Sequence, residues 1–208
     1  MYLVYIFFLG FMLSFLGQLP LGTMSITATQ ISVQENFSNA WKYALGVALV
    51  EMIYVWLVLS GLLWIMKHRL FFTVVNWLTV VFFLGLGTWS FIAAQKQDAD
   101  KKALLLNNGL NRFFLGIGMS ALNPAQIPFW FIWSGYFIDA GWLSTDFASF
   151  NFFTVGCGLG TLLGLALYMY GGNFLVTKMK TSNRTLNKIM GVIFILAACA
   201  QLYRLLKT

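Results

Sequence analysis

The sequence predicts an all-α membrane protein with six transmembrane helices, and three observations support this fold class. Of the 208 residues, 60% are hydrophobic and only 9% are charged, whereas a typical soluble domain has about 25% charged residues. The mean hydropathy is +0.79. Six apolar segments also reach the roughly 20 residues that a helix needs to cross a bilayer. The lipid bilayer is therefore the expected solvent of this chain.

The six predicted helices cover about residues 3–31, 40–65, 70–95, 110–137, 148–176 and 184–206. The first segment lacks the basic region and the small-residue cleavage site of a secretory signal peptide, so we predict a transmembrane helix there. Between the third and fourth helices, KQDADKKALLLNNG forms a charged linker. We therefore predict one transmembrane domain with two halves, 1–95 and 110–208, joined by a cytoplasmic linker at 96–109.

The net charge of +7 indicates orientation rather than nucleic acid binding, because the basic residues lie at helix ends and in short loops. Nine Lys and Arg residues follow the first, third and fifth predicted helices, and four follow the others. By the positive-inside rule the side with nine is cytoplasmic. This predicts N- and C-termini outside a bacterial inner (plasma) membrane and no nucleic acid partner.

The two halves resemble each other in the order of their features. Pro20 in GQLPLG and Pro124 in ALNPAQ are 104 residues apart, and Gly46 and Gly156 are 110 apart. The first and fourth helices are thus each predicted to be broken by a proline. Because each half has three helices, the second half enters the membrane from the opposite side. The sequence therefore predicts two inverted three-helix repeats, a plan found in many secondary transporters.

Small and polar residues surround both prolines. A proline removes one backbone N–H, and groups left unpaired in lipid must be satisfied by protein or by a water-filled cavity. Pro128 is predicted to break the fourth helix again. One interpretation of the two matching breaks is a pair of helix kinks capped by local polar side chains. The other is a pair of half-helices whose N-termini attract carboxylates and whose C-termini attract cations, as an amino acid would require. The residues concerned are Gln18, Pro20, Gly22, Thr23, Asn123, Pro124 and Gln126.

Glu51 lies near the middle of the second predicted helix, in ALVEMIY. An ionised carboxylate at that depth costs at least a few kcal/mol, and acids inside membranes are usually functional. Its helix face carries small residues and Tyr54. Glu51 is either a structural acid bonded to a neighbouring helix or a protonatable site on a substrate or proton path, and we predict the second. The matching position in the second half is near Thr161.

The sequence offers little support for other chemistry. Cys157 and Cys199 lack CxxC spacing and are interpreted as packing residues, and His68 lies alone at a helix end. We find no cluster of metal ligands, no nucleophile with a base, no phosphate loop and no cofactor motif. The sequence thus predicts no enzyme, no bound metal and no cofactor. Metal or ion export and a non-transporting assembly role remain the alternatives.

With these motifs the chain resembles the LysE superfamily of six-helix amino acid exporters. The resemblance covers nearly the whole chain. It departs from the usual family pattern where Leu-Gly-Thr replaces Pro-Gly-Pro, where Ala125 replaces a basic residue, and where Glu replaces Asp in the second helix. The matching residues are Pro20, Leu21 and Gly22 in the first helix, Gly46 and Glu51 in the second, and Asn123 and Pro124 in the fourth.

The resemblance implies a proton-driven exporter of amino acids or similar small zwitterionic metabolites. Glu51 would then carry the proton, and Gln18, Thr23, Asn123 and Gln126 would hold the substrate together with the broken backbone. The expected partners are this substrate, protons and the lipid bilayer, and a homodimer is compatible with the sequence.

Overall fold

The computed structural model describes residues 1–19, 22–95 and 110–171, with scattered positions between 188 and 206, and this part of the chain is helical without any strand. Pro20, the predicted linker 96–109 and most of the predicted sixth helix lie outside the described residues. The described helices are α1 (Tyr2–Gln18), α2 (Thr23–Gln34), α3 (Phe37–Lys67), α4 (Arg69–Gln95), α5 (Arg112–Ala121), α6 (Gln126–Asp139) and α7 (Phe147–Tyr170).

Two described segments, Phe37–Leu62 of α3 and Phe147–Tyr170, are long and apolar enough to cross a membrane. The pair α1 and α2 passes the same test as one span that is bent by 78°. The described residues therefore contain two candidate membrane spans, or three if the bent pair is counted. The predicted third helix corresponds to α4 and the predicted fourth to α5 with α6, but neither is among these candidates. Six spans therefore stay a prediction.

The structure divides the predicted first and fourth helices in two. Residues 19–22 separate α1 from α2, and residues 122–125, which include Pro124, separate α5 from α6. The prediction of a further break at Pro128 was wrong. Pro128 is the third residue of α6, and the first turn of a helix tolerates proline because its N–H groups have no partner within the helix.

Helix packing pairs α1 with α7 and α3 with α5, and α3 also lies along α7. Glycine allows these backbones to approach closely, as small residues do in membrane helices. A Cβ added to Gly46 would meet the Phe113 carbonyl oxygen, and one added to Gly156 would meet the Phe7 carbonyl oxygen. The two glycines are 110 residues apart, and the two phenylalanines are 106 apart. The reciprocal contacts keep the same offsets: Gly10 with Phe153, and Gly116 with Tyr43.

Two apolar clusters lie along α3. Val47 belongs to a cluster with residues of α2, α5 and α7, and Val55 belongs to a cluster with residues of α1, α6 and α7. Large apolar side chains also cover the outside of the helices, as expected for a surface in lipid. Glu51, four residues from both valines, lies at the junction of the two clusters.

On the outer face of α7 the exposed apolar side chains recur every three or four residues, at Phe152, Val155, Leu159, Leu163 and Leu167.

Candidate functional site

Glu51 is buried on α3, with 3% of its surface exposed, and its carboxyl group faces α1 and α7. The distance from Ser14 Oγ to Glu51 Oε1 is 2.8 Å, and Gln18 Nε2 donates to Glu51 Oε2 over 3.1 Å. Ser14 and Gln18 are four residues apart, so both lie on one face of α1. Both carboxyl oxygens are therefore held by α1.

Thr161 on α7 completes this group. Its Oγ1 lies 2.7 Å from Ser14 Oγ and 3.0 Å from the carbonyl oxygen of Cys157, one turn earlier on the same helix. Ser14 and Thr161 are 1% and 0% exposed. Because water does not reach these hydroxyl groups, their hydrogen bonds must be made within the protein.

Gly164 brings Gln18 close to α7. A Cβ at Gly164 would lie 2.6 Å from Gln18 Cβ and 3.2 Å from Gln18 Cγ. On the α3 side, a Cβ at Gly158 would lie 2.5 Å from Met52 Sδ. Glycine at these two positions of α7 therefore lets α1 and α3 approach it from two sides, and Glu51 lies in the space between the three helices.

A second polar group lies between α3, α5 and α6. Gln126 Nε2 donates to Ser120 Oγ over 3.0 Å, and Ser120 Oγ donates to the Val47 carbonyl oxygen over 3.3 Å. Gln126 is 7% exposed, and its Oε1 has no hydrogen-bond partner among the described residues. Because Val47 lies one turn before Glu51 on α3, the two polar groups are neighbours along that helix.

The second helix break is held by side chains on both sides. Tyr54 of α3 donates to the Ala121 carbonyl oxygen over 2.8 Å, which satisfies one of the carbonyl groups left unpaired at the C-terminus of α5. Asn123 Oδ1 accepts from the Ala125 N–H over 3.1 Å, as in a turn stabilised by an Asn side chain. At the first break the Tyr168 hydroxyl donates to the Leu19 carbonyl oxygen.

The helices that start at the two breaks lack side-chain caps. The preceding residues, Gly22 of α2 and Ala125 of α6, make no side-chain hydrogen bond to the helix. In contrast, α5 is capped by Asn111 and α7 by Asp146, whose pKa is lowered by its hydrogen bonds to Ser149. The positive end of α2 is therefore available to a polar group other than a capping side chain. At the start of α6 the Ala125 and Gln126 N–H groups already donate to Asn123, and Pro128 has no N–H.

Comparison with protein families identifies the chain. The family model for LysE type translocators matches residues 15–205. The chain belongs to this family. No curated protein and no solved structure matched it. The family is one of membrane transporters, and together with the apolar helices it shows a multi-pass membrane protein with a small-molecule substrate.

In this LysE type translocator the predicted residues fall into separate places. Gln18 and Glu51 are joined directly, and Ser14 joins Glu51 to Thr161. Gln126, Asn123 and Tyr54 lie around the second break, whereas Gly22 and Thr23 are exposed at the start of α2. Pro124 is exposed within the second break, and Pro20 lies outside the described residues.

Sequence reasoning missed Ser14 in the translocator. Its signal was the spacing of four residues to Gln18, which places a hydroxyl and an amide on one face of α1. A single serine in an apolar helix usually bonds to its own backbone, so the spacing alone did not identify it. The contact with Glu51 follows from the packing of α1 and α3 against α7.

An ion pair joins two helices of the translocator. Arg112, the first residue of α5, lies 2.6 Å from Glu35, which directly follows α2. The hydrogen bond from Arg112 is the main reason why the pKa of Glu35 is below its ordinary value, and Asn39 adds a second hydrogen bond. The end of α2 is thereby tied to the start of α5.

Proposed function

We propose that this translocator exports amino acids or similar small zwitterionic metabolites across the bacterial inner membrane and that transport is coupled to protons at Glu51. The observation that carries the proposal is the buried Glu51 carboxyl group with a hydrogen-bond partner from α1 on each oxygen. Among the described residues the other acids are Glu35, Asp139 and Asp146, and all three lie at helix ends. Acids inside membranes are usually functional.

The proposal includes two inverted repeats, residues 1–95 and 110–208, with both termini outside. The matched glycine contacts support it, because Gly46 with Phe113 and Gly156 with Phe7 follow constant offsets in the two halves. Breaks in α1–α2 and α5–α6 occur at corresponding places in the two halves. In transporters built from such repeats, substrate sites lie where broken helices of the two repeats meet.

The zwitterion would be held at the breaks. The uncapped start of α2 with Thr23 offers N–H groups to a carboxylate. The unpaired Oε1 of Gln126 offers an acceptor to an ammonium group. Gln18 would link the first break to Glu51, because it is the last residue of α1 before that break and bonds to the acid. Asn123 would keep the second break in shape.

A flux assay tests this proposal. The purified protein in liposomes with an imposed pH gradient is offered a panel of labelled amino acids. We expect Glu51→Gln to fold and to lose the pH-driven component of flux, because the amide keeps the hydrogen-bonding shape but cannot release a proton. Asp139→Asn, the same chemical change at the exposed end of α6, should retain it. Flux through Glu51→Gln with unchanged pH dependence would show that coupling lies elsewhere.

A further inference from the structure

The number of hydrogen atoms available to the hydrogen bonds around Glu51 depends on whether its carboxyl group is protonated. Three oxygen pairs lie within hydrogen-bond distance in a row: Glu51 Oε1 with Ser14 Oγ at 2.8 Å, Ser14 Oγ with Thr161 Oγ1 at 2.7 Å, and Thr161 Oγ1 with the Cys157 carbonyl at 3.0 Å. Each pair needs one hydrogen atom. The two hydroxyl groups supply one each, and the carbonyl supplies none.

A carboxylate accepts hydrogen bonds but donates none, so an ionised Glu51 leaves three pairs with two hydrogens. A neutral acid supplies the third. The directions are then forced, because the Cys157 carbonyl can only accept. Thr161 donates to Cys157, Ser14 donates to Thr161, and the acid donates to Ser14 through Oε1. The other oxygen, Oε2, is left as the carbonyl that accepts from Gln18 Nε2 at 3.1 Å.

We propose that Ser14 and Thr161 are positioning residues that hold Glu51 as the neutral acid in this conformation. Loss of the proton reverses the row: Ser14 turns its hydrogen to Glu51, and Thr161 turns to Ser14 or to the carboxylate. In either case the Cys157 carbonyl loses the Thr161 hydrogen bond. This inference rests on the proposed role of Glu51 in proton coupling.

The reversal changes α7, because Thr161 bonds to the carbonyl four residues earlier on its own helix. Such a back-bond often bends a helix. The row ends at a backbone carbonyl, which cannot take up a proton, so it does not conduct protons onward. It makes the geometry of α7 depend on the protonation of a residue on α3, and α7 in turn packs against α1 at Gly156 and Gly160.

Other titratable groups near Glu51 supply no hydrogen atom to these three oxygen pairs. The Cys157 thiol interacts electrostatically with Glu51 from α7, and Cys157→Ser tests its share. The aromatic hydroxyl groups on the helices around Glu51 take no part in the row. The described helices packed against α3 carry charged residues only at their ends, at Arg69, Arg112 and Asp139. Glu35 directly follows α2, and Asp146 directly precedes α7. The tyrosines are Tyr2, Tyr5, Tyr43, Tyr54, Tyr136, Tyr168 and Tyr170.

Infrared difference spectroscopy of the full chain in lipid, over a pH titration, tests the row. The carbonyl stretch of a neutral carboxylic acid is assigned to Glu51 by its loss in Glu51→Gln. We expect Ser14→Ala to shift this band. Thr161→Val should shift it as well, because it acts through Ser14, whereas Thr161→Ser and Cys157→Ser should leave it in place. A purely structural role of Thr161 would not move the band.

The result that overturns the proposal is the absence of a Glu51 acid band throughout the pH range in which the protein is folded. A band that Thr161→Val leaves unmoved would overturn it too, and this variant serves if Ser14→Ala fails to fold. Flux separates the two claims. Normal pH-driven flux without the band rejects the row alone, whereas the expected shifts in a protein without pH-driven flux support the row and reject the proposed function.

Discussion

Replacing Gly164 with alanine should disconnect Gln18 from Glu51 although neither residue is changed. The new Cβ would lie 2.6 Å from Gln18 Cβ, whereas carbon atoms attract best at about 3.5 Å or more. Gln18 must therefore withdraw by about 0.9 Å. Its Nε2 now lies 3.1 Å from Glu51 Oε2, and the same shift lengthens that distance to about 4 Å, beyond hydrogen-bond range.

The energies follow from the same contacts. Overpacking costs about 1–3 kcal/mol, and alanine in place of glycine in a helix offsets about 0.5–1 kcal/mol of this. We expect the free energy of unfolding in detergent to fall by about 1–2 kcal/mol. Losing one hydrogen bond to a buried group costs about 1–3 kcal/mol, so pH-driven flux in liposomes should fall at least about fivefold.

Two further variants make the experiment decisive. At Gly61 of α3, no described atom outside the helix's own backbone would lie within 4 Å of an added Cβ, so Gly61→Ala should leave flux unchanged and should not lower stability. Gln18→Gly removes both atoms that the new methyl group meets. In the Gln18→Gly background, Gly164→Ala should therefore cost little further stability, and flux should stay low because Glu51 lacks its Gln18 partner. The reasoning is refuted if Gly164→Ala alone transports like the wild type, or if Gln18→Gly fails to relieve its destabilisation.

Two other predictions concern stability. Because Arg112 lowers the pKa of Glu35 below its ordinary value of 4.5, this pair stabilises the fold above that pH and loses its effect as the pH falls through the lowered pKa. Arg112→Gln should reduce this acid dependence of the melting temperature and cost about 0.5–1 kcal/mol at neutral pH, since the pair is partly exposed. Gly46→Ala and Gly156→Ala should each lower the free energy of unfolding by at least about 1 kcal/mol. Gly85→Ala, with open space around it, should not lower it. The matched contacts are contradicted if the losses in the first two variants differ by more than the smaller loss itself.

The parts of the fold that depend on lipid were predictable from the sequence. The predicted helices 40–65 and 148–176 correspond to α3 (Phe37–Lys67) and α7 (Phe147–Tyr170), because a span must satisfy its backbone within itself over the full apolar thickness. Glu51 was detectable for the same reason, as an acid where the solvent is hydrocarbon. Neither prediction needed any knowledge of which helices are neighbours.

The contacts of the site depend on neighbours and were not predictable. Tyr54 was placed beside Glu51 because it lies three residues later on α3, yet its hydroxyl bonds to Ala121 of α5, whereas the carboxyl group bonds to α1. Three residues turn a helix by about 300°, so the two side chains diverge by about 60° and reach different helices. Which helix lies in each direction is a property of packing, and the periodicity of a single helix does not contain it.

The arrangement of helix pairs supports the proposed coupling role of Glu51. Gly46 packs α3 against α5, and Gly156 packs α7 against α1, with contacts too close for any other residue. Each pair therefore behaves as one unit in lipid, where close packing holds helices together. The bonds of Glu51 run from α3 to Ser14 and Gln18 of α1, and through Ser14 to Thr161 of α7. They cross from one pair to the other, so under the proposed coupling a change in the protonation of Glu51 would act on the contact between the two pairs.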